Sequence, residues 1–383
     1  MKKVLKKGNN PLKIGIFVDF FFPEKTGLTY YIYNLYESLR NDIKPVVVTF
    51  GTEEKVSIVK GFKVYTIRAK QILGNTYHIP CPISWVRVSK KLISENFDIV
   101  NTHTRFFMSS YLGYRFSRKI KVPLVHTEHG SGYVPHNNLI VRLIAFLFDQ
   151  TLGRLIISNS KVVCTVSKKG TSFVKKLGAK RTEVIYNGIN VPKKISISNK
   201  KKLVSKFKID SGKLNVVFVG RIVKEKGVQD LFEAISLMSD MDKKKFDIYV
   251  IGDGNYLPKL RLIAKELNLQ VNFLGFRDQD FIMSFLQLMD VFVNPSYAEG
   301  LPTSVLEAGI CGCEVIATDV GGTSEIINNE TGYLFESKDI LKLCYLLLKA
   351  DRMNFSSDLI NRLKIKFLLN KISKTYLEVL NSK

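Results

Sequence analysis

The sequence predicts an α/β protein built from two doubly wound domains. Short apolar runs of strand length alternate with stretches of helical spacing, which is the pattern of βα units around a parallel sheet. The alternation pauses near residue 190 and restarts near residue 213. A chain of 383 residues is also too long for one comfortable hydrophobic core. We therefore expect one domain over residues 1–190 and another over residues 191–383.

The first half contains the repeated strand and helix patterns of the first domain. Its predicted strands are KIGIFVDFF (13–21), IKPVVVTF (43–50), KVYTI (63–67), FDIVNTH (97–103), VPLVHTEH (122–129) and KVVCTVS (161–167). Helical spacing follows in GLTYYIYNLYESLR (27–40) and VRVSKKLISEN (86–96). The strongly apolar VRLIAFLF (141–148) could dock at a membrane interface, but a helix that faces the core is the better explanation.

The second half repeats this pattern after a connecting segment. YNGINVPKKISISNKKK (186–202) is rich in lysine and serine and lacks periodicity, as expected of a linker. The strands predicted beyond it are KLNVVFVG (213–220), FDIYVIGDG (246–254), VNFLGF (271–276), VFVNPS (291–296) and CEVIATDVGG (313–322). Helices are expected between these strands and from about residue 338 to the C-terminus.

The charge is high and unevenly distributed. Residues 1–190 contain 30 Lys and Arg against 11 Asp and Glu, a net charge of +19, whereas residues 191–383 contain 28 against 23, a net charge of +5. This asymmetry predicts an anionic partner for the first half: a membrane surface, an acidic acceptor or nucleic acid. The other interpretation is a lysine-rich composition spread over solvated faces.

The sequence lacks the usual signals of membrane insertion, secretion and zinc binding. No apolar run reaches the roughly 18 residues that span a bilayer. Asp19 interrupts the apolar stretch near the N-terminus and no small-residue cleavage site follows, so we interpret this stretch as the first strand. The five cysteines show no CxxC spacing, which favours free thiols in a reducing cytosol.

The stretch PSYAEGLPTSVLEAG (295–309) predicts a binding site for a sugar nucleotide. It follows the strand VFVNPS, and Pro302 suits the first turn of the next helix. The free amides of that turn, with Gly300, can bind a diphosphate. Glu299 in the loop and Glu307 inside the helix can accept hydrogen bonds from hydroxyls. The alternative is an ordinary pattern of capping and solvated helix residues.

A second loop supports the interpretation as a sugar-nucleotide site. VFVGRIVKEKG places Arg221 and Lys226 after the first strand of the second half. These cations could hold a diphosphate and neutralise the charge that develops as it leaves. The glycine turn Val320–Gly322, after the strand that follows Glu307, allows close approach of the backbone.

With these motifs, residues 213–335 closely resemble the nucleotide-binding half of the group-1 retaining GT-B glycosyltransferases. The matching segments are FVGRIVKEKG, YVIGDGNYLPKL, VNFLGFRDQ, VNPSYAEGLPTSVLEAGICGCEVIATDVGGTSEII and NNETGYLF. The first half is similar through PEKTGLTYYIYNL, FDIVNTHT, PLVHTEHG, VVCTVS and VIYNGIN. The resemblance spans about residues 12–345. It implies two Rossmann-like domains facing across a cleft, with the last helix returning to the first, acceptor-binding domain.

The resemblance also implies roles for individual residues. Arg221 and Lys226 would contact the donor diphosphate, Glu299 the transferred sugar and Glu307 the ribose. The further donor-binding positions are Gly27, Gly220, Phe276, Gly300, Leu301, Pro302, Thr303 and Ser304, and His129 would lie at the sugar. Gly27 would belong to a loop that closes on the phosphates, although this chain has Thr26-Gly27 where the family often has two glycines.

The activity implied is retaining transfer of a hexosyl or N-acetylhexosaminyl group from a UDP- or GDP-sugar. The acceptor would be a hydroxyl of a glycan or a lipid-linked molecule, in surface polysaccharide or lipopolysaccharide biosynthesis. No metal or other cofactor is implied, and the two glutamates would not act as a glycosidase pair. We expect a cytoplasmic enzyme, peripheral on the inner membrane if the basic half binds lipid. No nucleic acid is expected as a partner.

Two other classes remain open. A sugar-nucleotide epimerase can share this architecture, but it needs further acid and base carboxylates. A nucleic-acid-binding protein would explain the charge, but the chain has no RNP, KH or zinc-finger signature.

Several motifs have both a structural and a functional interpretation. Helix capping by the acids of Asp278–Asp280 and a turn role for Asp253 are favoured over metal binding. His103 would either line the cleft or be structural. The remaining candidates are Cys311 and Cys313 for packing near the site, and Trp85, Arg87, Lys90 and Lys91 for a membrane interface.

Overall fold

The computed structural model describes residues 11–72, 77–133, 139–351 and 357–382. The chain forms two compact units. The first contains the chain up to Gly188 and again from Leu369, and the second contains Ile189–Leu368. The last helix therefore belongs to the first unit. Within the described residues, no helix is long and apolar enough to cross a membrane.

The first unit is built around a mostly parallel sheet. Its strands are β1 (Leu12–Phe17), β2 (Ile43–Gly51), β3 (Lys55–Val59), β4 (Phe62–Ile72), β5 (Tyr77–Pro80), β6 (Ile99–His103), β7 (Leu124–Glu128), β8 (Val162–Thr165) and β9 (Thr182–Val184). The order in the sheet is β3-β4-β2-β1-β6-β7-β8-β9, and β5 pairs with β4. The β3–β4 and β4–β5 pairs are antiparallel, and the other pairs are parallel.

Helices cover both faces of this sheet. They are α1 (Gly27–Ser38), α2 (Pro82–Ile93), α3 (Met108–Ile120), α4 (Leu139–Phe148), α5 (Arg154–Ser158), α6 (Lys168–Lys176) and the last helix, α16 (Leu369–Asn381). A π-helical turn (Asp149–Gly153) joins α4 to α5. One apolar core joins the sheet to α1 and α16, and another joins it to α2, α3 and α5.

The second unit has a fully parallel sheet. Its strands are β10 (Leu214–Val219), β11 (Phe246–Ile251), β12 (Val271–Gly275), β13 (Val291–Asn294), β14 (Glu314–Thr318) and β15 (Tyr333–Phe335). The order β12-β11-β10-β13-β14-β15 reverses between β10 and β13. Ligands of open α/β sheets bind outside the carboxyl ends of the strands at such a reversal, so a ligand is expected at the loops after β10 and β13.

The helices of the second unit pack mainly against the apolar residues of its strands. They are α7 (Ile197–Phe207), α8 (Val228–Ser236), α9 (Asp240–Lys243), α10 (Leu257–Glu266), α11 (Gln279–Leu286), α12 (Thr303–Cys311), α13 (Thr323–Ile326), α14 (Ile340–Lys349) and α15 (Ser357–Lys366). The central apolar core contains residues of β10, β11, β13, α8 and α14. The predicted pair of doubly wound α/β domains is confirmed.

The linker predicted over residues 186–202 contains the boundary between the two units, but its last residues form the start of α7, whose first turn is capped when Ser196 Oγ accepts from the Asn199 amide. Two local expectations were wrong. The helix predicted to face the core, α4, has no buried residue. Trp85 is not a surface anchor: its ring is partly buried and packs edge-on against Phe17 and Phe116.

Candidate functional site

The loops after β10 and β13 bring together two residues expected at the donor. Lys226 ends a short 3-10 turn (Lys224–Lys226), and Glu299 lies between β13 and α12. Lys226 Nζ donates to Glu299 Oε1 at 2.6 Å, with the two side chains 23% and 10% exposed. A partly buried ion pair at the reversal of strand order can respond to a charged or hydroxylated ligand.

Buried polar groups fix the loop that carries Glu299. Asn294 ends β13 and is 1% exposed, and its Nδ2 lies 3.5 Å from Glu299 Oε1. Ser296 Oγ donates to Asn294 Oδ1 at 3.1 Å, which orients the amide. Thr318 Oγ1 in turn donates to the Ser296 carbonyl at 2.6 Å. The carboxylate is thus supported by a chain of hydrogen bonds from two neighbouring strands.

A second set of contacts joins this loop to the Lys226 loop. The Tyr297 amide donates to the Glu225 carbonyl at 2.8 Å. The Tyr297 hydroxyl donates to Asp230 Oδ1 at 2.7 Å and accepts from Gln229 Nε2 at 2.6 Å. Burial raises the pKa of Asp230 to about 6, although the Tyr297 hydrogen bond opposes this. The two loops therefore form one connected unit.

Two glycines allow the backbones of these loops to approach each other. Gly227 has φ +67°, and a Cβ there would collide with the Pro295 carbonyl. Gly321 has φ +58°, and a Cβ there would collide with the Glu299 carbonyl. Side chains at either position would strain the backbone and displace the Glu299 loop.

The predicted anion site lies at the N-terminus of α12. The helix begins at Thr303, one residue later than expected, because Pro302 has an extended backbone and occupies the N-cap position. Leu301 and Pro302 are buried, whereas Gly300, Thr303 and Ser304 are partly exposed. The N-terminus of a helix carries a partial positive charge, so this end favours an anion.

Glu307 lies more than a turn into α12, as predicted. Gln279 Nε2 donates to its Oε1 at 2.7 Å. Burial raises the pKa of Glu307 to about 7, and the hydrogen bond from Gln279 offsets only part of this rise. Hydroxyl donors would stabilise its carboxylate form.

The other positions expected at the donor lie around these loops. Arg221 follows β10 and is exposed, as is Phe276 after β12. Gly220 donates its amide to the Ile251 carbonyl at 3.0 Å, which holds the start of the Arg221 loop on β11.

In the first unit, His129 lies directly after β7. Its Nε2 is 3.1 Å from His103 Nδ1 at the end of β6, and the two rings stack with centroids 5.4 Å apart. Tyr31 packs edge-on against His129, with ring centroids 4.8 Å apart. Burial lowers the pKa of His129 to about 4, although Glu128 opposes this, and burial also lowers the pKa of His103. Both imidazoles are therefore neutral at pH 7.

A buried cluster of charges fixes the loop that follows His129. The Arg105 guanidinium contacts Glu128 Oε1 at 2.9 Å and Asp149 Oδ1 at 2.6 Å, and all three side chains are at most 1% exposed. It also donates to the Gly132 carbonyl at 3.0 Å, while the Gly130 amide donates to Glu128 at 2.8 Å. Burial alone would raise the pKa of Glu128, but the adjacent guanidinium holds it below its usual range.

Gly27 is the first residue of α1 rather than part of a loop. Thr26 precedes it at the N-cap, and Thr26 Oγ1 accepts from the Thr29 amide at 3.1 Å. A Cβ at Gly27 would meet nothing within 4 Å. The conformation therefore does not require glycine, but a side chain would narrow the approach to the helix end.

The acids and cysteines that were predicted to have structural roles make capping and packing contacts. Asp278 caps α11 by accepting from the Phe281 amide at 2.9 Å, and Asp253 accepts from the Gly254 amide at 2.7 Å. Cys311 and Cys313 pack with their sulfurs near the carbonyls of α11. No group of three or more His, Cys, Asp and Glu side chains suited to a metal occurs in the described part of the chain.

Sequence reasoning missed the residues that support the site. Asn294 had a usable signal, because it is a polar residue at the end of the apolar strand VFVN. Arg105, Asp149, Gln279 and Tyr297 had none, since their partners are 23 to 68 residues distant in sequence. Their pairing depends on the order of the strands.

Two family models match the chain, one in each half. The model described as glycosyl transferases group 1 matches residues 199–351, and the model described as glycosyltransferase family 4 matches residues 25–193. The first of these ranges contains the Lys226 and Glu299 loops.

Curated relatives match most of the chain. An uncharacterized glycosyltransferase of Methanocaldococcus jannaschii is 31% identical over 332 residues, covering 82% of this chain and 83% of the relative. The UDP-Gal:alpha-D-GlcNAc-diphosphoundecaprenol alpha-1,3-galactosyltransferase of Escherichia coli is 26% identical over 316 residues, covering 78% of this chain and 80% of the relative.

The fold is also that of solved structures. Anabaena Alr3699/HepE, in complex with UDP and glucose, matches with a TM-score of 0.77 and 19% identity, over 97% of this chain and all of that chain. Sucrose-phosphate synthase from Thermosynechococcus elongatus also gives a TM-score of 0.77, at 20% identity, over 96% of this chain and 98% of that chain.

Proposed function

Because this chain belongs to the group-1 glycosyltransferases of the GT-B fold, we propose that it transfers a sugar with retention of anomeric configuration. The donor is a nucleoside-diphosphate sugar, and the acceptor is a hydroxyl of a glycan or a lipid-linked molecule. The observation that carries the proposal is the Lys226–Glu299 pair beside the N-terminus of α12.

The positive groups of the second unit act on the diphosphate. The amides at the start of α12 bind the phosphates, and Lys226 and Arg221 neutralise the charge that grows as the diphosphate leaves. Protein cations then stabilise the leaving group, and no metal is needed.

The carboxylates bind hydroxyl groups instead of attacking the sugar. Glu299 accepts from the transferred sugar, while Glu307 accepts from the ribose. Retention then results from attack of the acceptor on the same face that the diphosphate leaves. By the family resemblance, His129, which is neutral at pH 7, is assigned to one hydrogen bond with the sugar, and Gly27 is assigned to the phosphates.

The relatives favour particular substrates. The Escherichia coli relative is named for a UDP-sugar donor and a diphosphoundecaprenol-linked acceptor, and a Campylobacter jejuni relative is named for a diphospho-undecaprenol acceptor. We propose a UDP- or GDP-sugar with a hexosyl or N-acetylhexosaminyl group, used in surface polysaccharide or lipopolysaccharide biosynthesis. We place the reaction in the cytoplasm, where the five free cysteines are stable.

The family match favours this reaction over the alternatives. An epimerase would need acid and base carboxylates in addition to Glu299 and Glu307. A nucleic-acid partner would explain the charge of the first half but gives the Glu299 loop no role.

The substitution Glu299→Ala tests the role of this carboxylate. We expect turnover to fall by at least about 100-fold, as for the loss of one preorganised group in a transition state. Nucleotide affinity should change by less than about threefold, since Glu299 is assigned to the sugar. Steady-state transfer and calorimetric titration with the nucleotide measure the two effects.

The control is Glu266→Ala, which removes an exposed carboxylate from the last turn of α10. This variant should behave like the wild type. Near-normal turnover of Glu299→Ala would contradict the assignment of Glu299 to the transferred sugar. Proton NMR of the product tests retention separately, because an inverted anomeric configuration contradicts the proposed stereochemistry.

A further inference from the structure

Helix α4 presents apolar side chains to solvent on all its faces. The helix reads LIVRLIAFLF, and eight of its ten residues are exposed. The large apolar side chains that are exposed are Leu139, Ile140, Val141, Leu143, Ile144, Phe146 and Leu147. An isolated exposed leucine needs no explanation, but seven large apolar side chains in one short helix form a continuous patch.

The patch is held to the unit at one end. Phe148 packs on Phe106 with ring centroids 5.7 Å apart, and Phe146 packs on Tyr133 at 5.3 Å. The next residue, Asp149, is locked by Arg105 in the buried charge cluster. The C-terminal end of α4 is therefore fixed to the sheet, whereas its other turns project apolar groups outward.

Basic residues predominate in the segments on either side of this patch in the sequence. Residues 129–182 contain nine Lys and Arg but only one acidic residue, Asp149, which is buried against Arg105. Arg142 on α4 and Arg154 on α5 are exposed. Tyr133 packs on both Phe146 of α4 and Phe173 of α6, a helix that carries four exposed lysines. Apolar groups flanked by cations match the chemistry of an anionic lipid surface.

We propose that α4 is an in-plane membrane anchor, whose apolar side chains enter the headgroup region of an anionic bilayer while the flanking cations contact lipid phosphates. Ten residues make a helix of about 15 Å, too short to cross the roughly 30 Å hydrocarbon core. The anchor would hold the enzyme beside a lipid-linked acceptor, but it does not depend on the donor site.

A second copy of the chain fits the patch less well. Two copies meeting at α4 would bring two strongly positive surfaces together, which is unfavourable. A flat partner would also cover only one face of a helix that is apolar all round, whereas a lipid interface can surround it.

Vesicle sedimentation of the full chain tests the anchor. The probes are vesicles of phosphatidylcholine alone and of phosphatidylcholine with about 30% phosphatidylglycerol. We expect binding to the anionic vesicles that falls steeply with salt. The double variant Leu143→Gln/Leu147→Gln removes two neighbouring apolar side chains, 57% and 53% exposed, and should lower the partition coefficient at least about tenfold.

The matched control is Ile197→Gln/Leu262→Gln, which alters two apolar residues of the second unit that are 76% and 53% exposed and belong to different helices. It should retain wild-type partitioning. Absence of wild-type binding to anionic vesicles, or equal binding by the α4 variant, would overturn the proposal. A dimer in gel filtration that the α4 variant dissociates would assign the patch to a second copy. The nucleotide-induced thermal shift is measured on the same proteins, so a failed anchor and a failed donor site are distinguishable.

Discussion

At the scale of single residues, the ionisation of Glu307 links the donor site to pH. Burial raises its pKa to about 7, and its described partner is the neutral amide of Gln279. Because the folded pKa lies above the ordinary carboxyl value, the free protein favours the protonated form below pH 7. A ribose that donates two hydroxyls requires the carboxylate, so the proposed affinity rises with pH through about 7.

This reasoning predicts the effect of Glu307→Gln. The wild type should bind the nucleotide about tenfold more weakly at pH 6 than at pH 8.5, since about a tenth of a group with pKa 7 is ionised at pH 6. The variant should bind more weakly at pH 8.5 and lose this part of the pH dependence. Isothermal titration calorimetry at pH 6 and at pH 8.5 measures the nucleotide affinity of both proteins.

The comparison of pH dependence between the wild type and Glu307→Gln isolates the contribution of Glu307, because titration of the nucleotide's own phosphate affects both proteins equally. Equal pH dependence in the two proteins would contradict the assignment of Glu307 to the ribose.

The positions of Glu299 and Glu307 were predictable from the sequence, but their environments were not. Strand and helix patterns placed one in a loop and the other inside a helix, and the structure agrees. The Lys226–Glu299 contact joins residues 73 positions apart and arises because β10 and β13 are neighbours. That adjacency is a property of the sheet order, which local periodicity does not encode.

At the scale of elements, Arg105 joins three segments of the first unit. Its guanidinium connects the end of β6 to Glu128 on β7 and to Asp149 after α4. The rings of Phe106 and Phe173 lie 4.1 and 4.5 Å from it. This cluster therefore positions both the His129 loop and the base of α4.

Arg105→Met should destabilise the fold by about 3–5 kcal/mol, because it leaves two buried carboxylates without their cation. Arg105→Lys keeps the charge but loses the planar fork of donors, so its effect should be intermediate. Urea denaturation monitored by circular dichroism gives the free energies of unfolding.

The exposed Arg118, at the end of α3, supplies the control. Arg118→Met should change the free energy of unfolding by less than about 0.5 kcal/mol. If Arg105→Met were as stable as this control, the cluster would not hold the loops together.

Element types were predictable where periodicity and burial agree. The central strands of both sheets carry apolar runs and were found where expected. The exposed edge strand β3 and the short strands β5, β9 and β15 have little buried surface and gave no clear pattern. Helix α4 was predicted to face the core because its residues are apolar. Apolar residues favour any environment of low polarity, however, and the protein core is only one such environment.

At the scale of the whole molecule, the two halves differ in charge as well as in fold. The net charge of +19 in residues 1–190 accompanies the proposed lipid surface, while the nearly balanced second half carries the proposed donor site. This division suits an enzyme that takes one soluble substrate and one substrate at a membrane. The charge asymmetry was visible in the sequence, but only the exposure of α4 shows where apolar and basic groups meet.

A thermal-shift measurement with UDP, GDP and ADP at about 1 mM tests whether the protein has the proposed nucleotide-sugar donor site. A ligand at 100 times its dissociation constant adds about 2.7 kcal/mol of stability, which raises the melting temperature visibly. We predict a rise with UDP or GDP and none with ADP, and a much smaller rise for Glu307→Ala than for the wild type. No rise with any of the three nucleotides would contradict the proposed donor site.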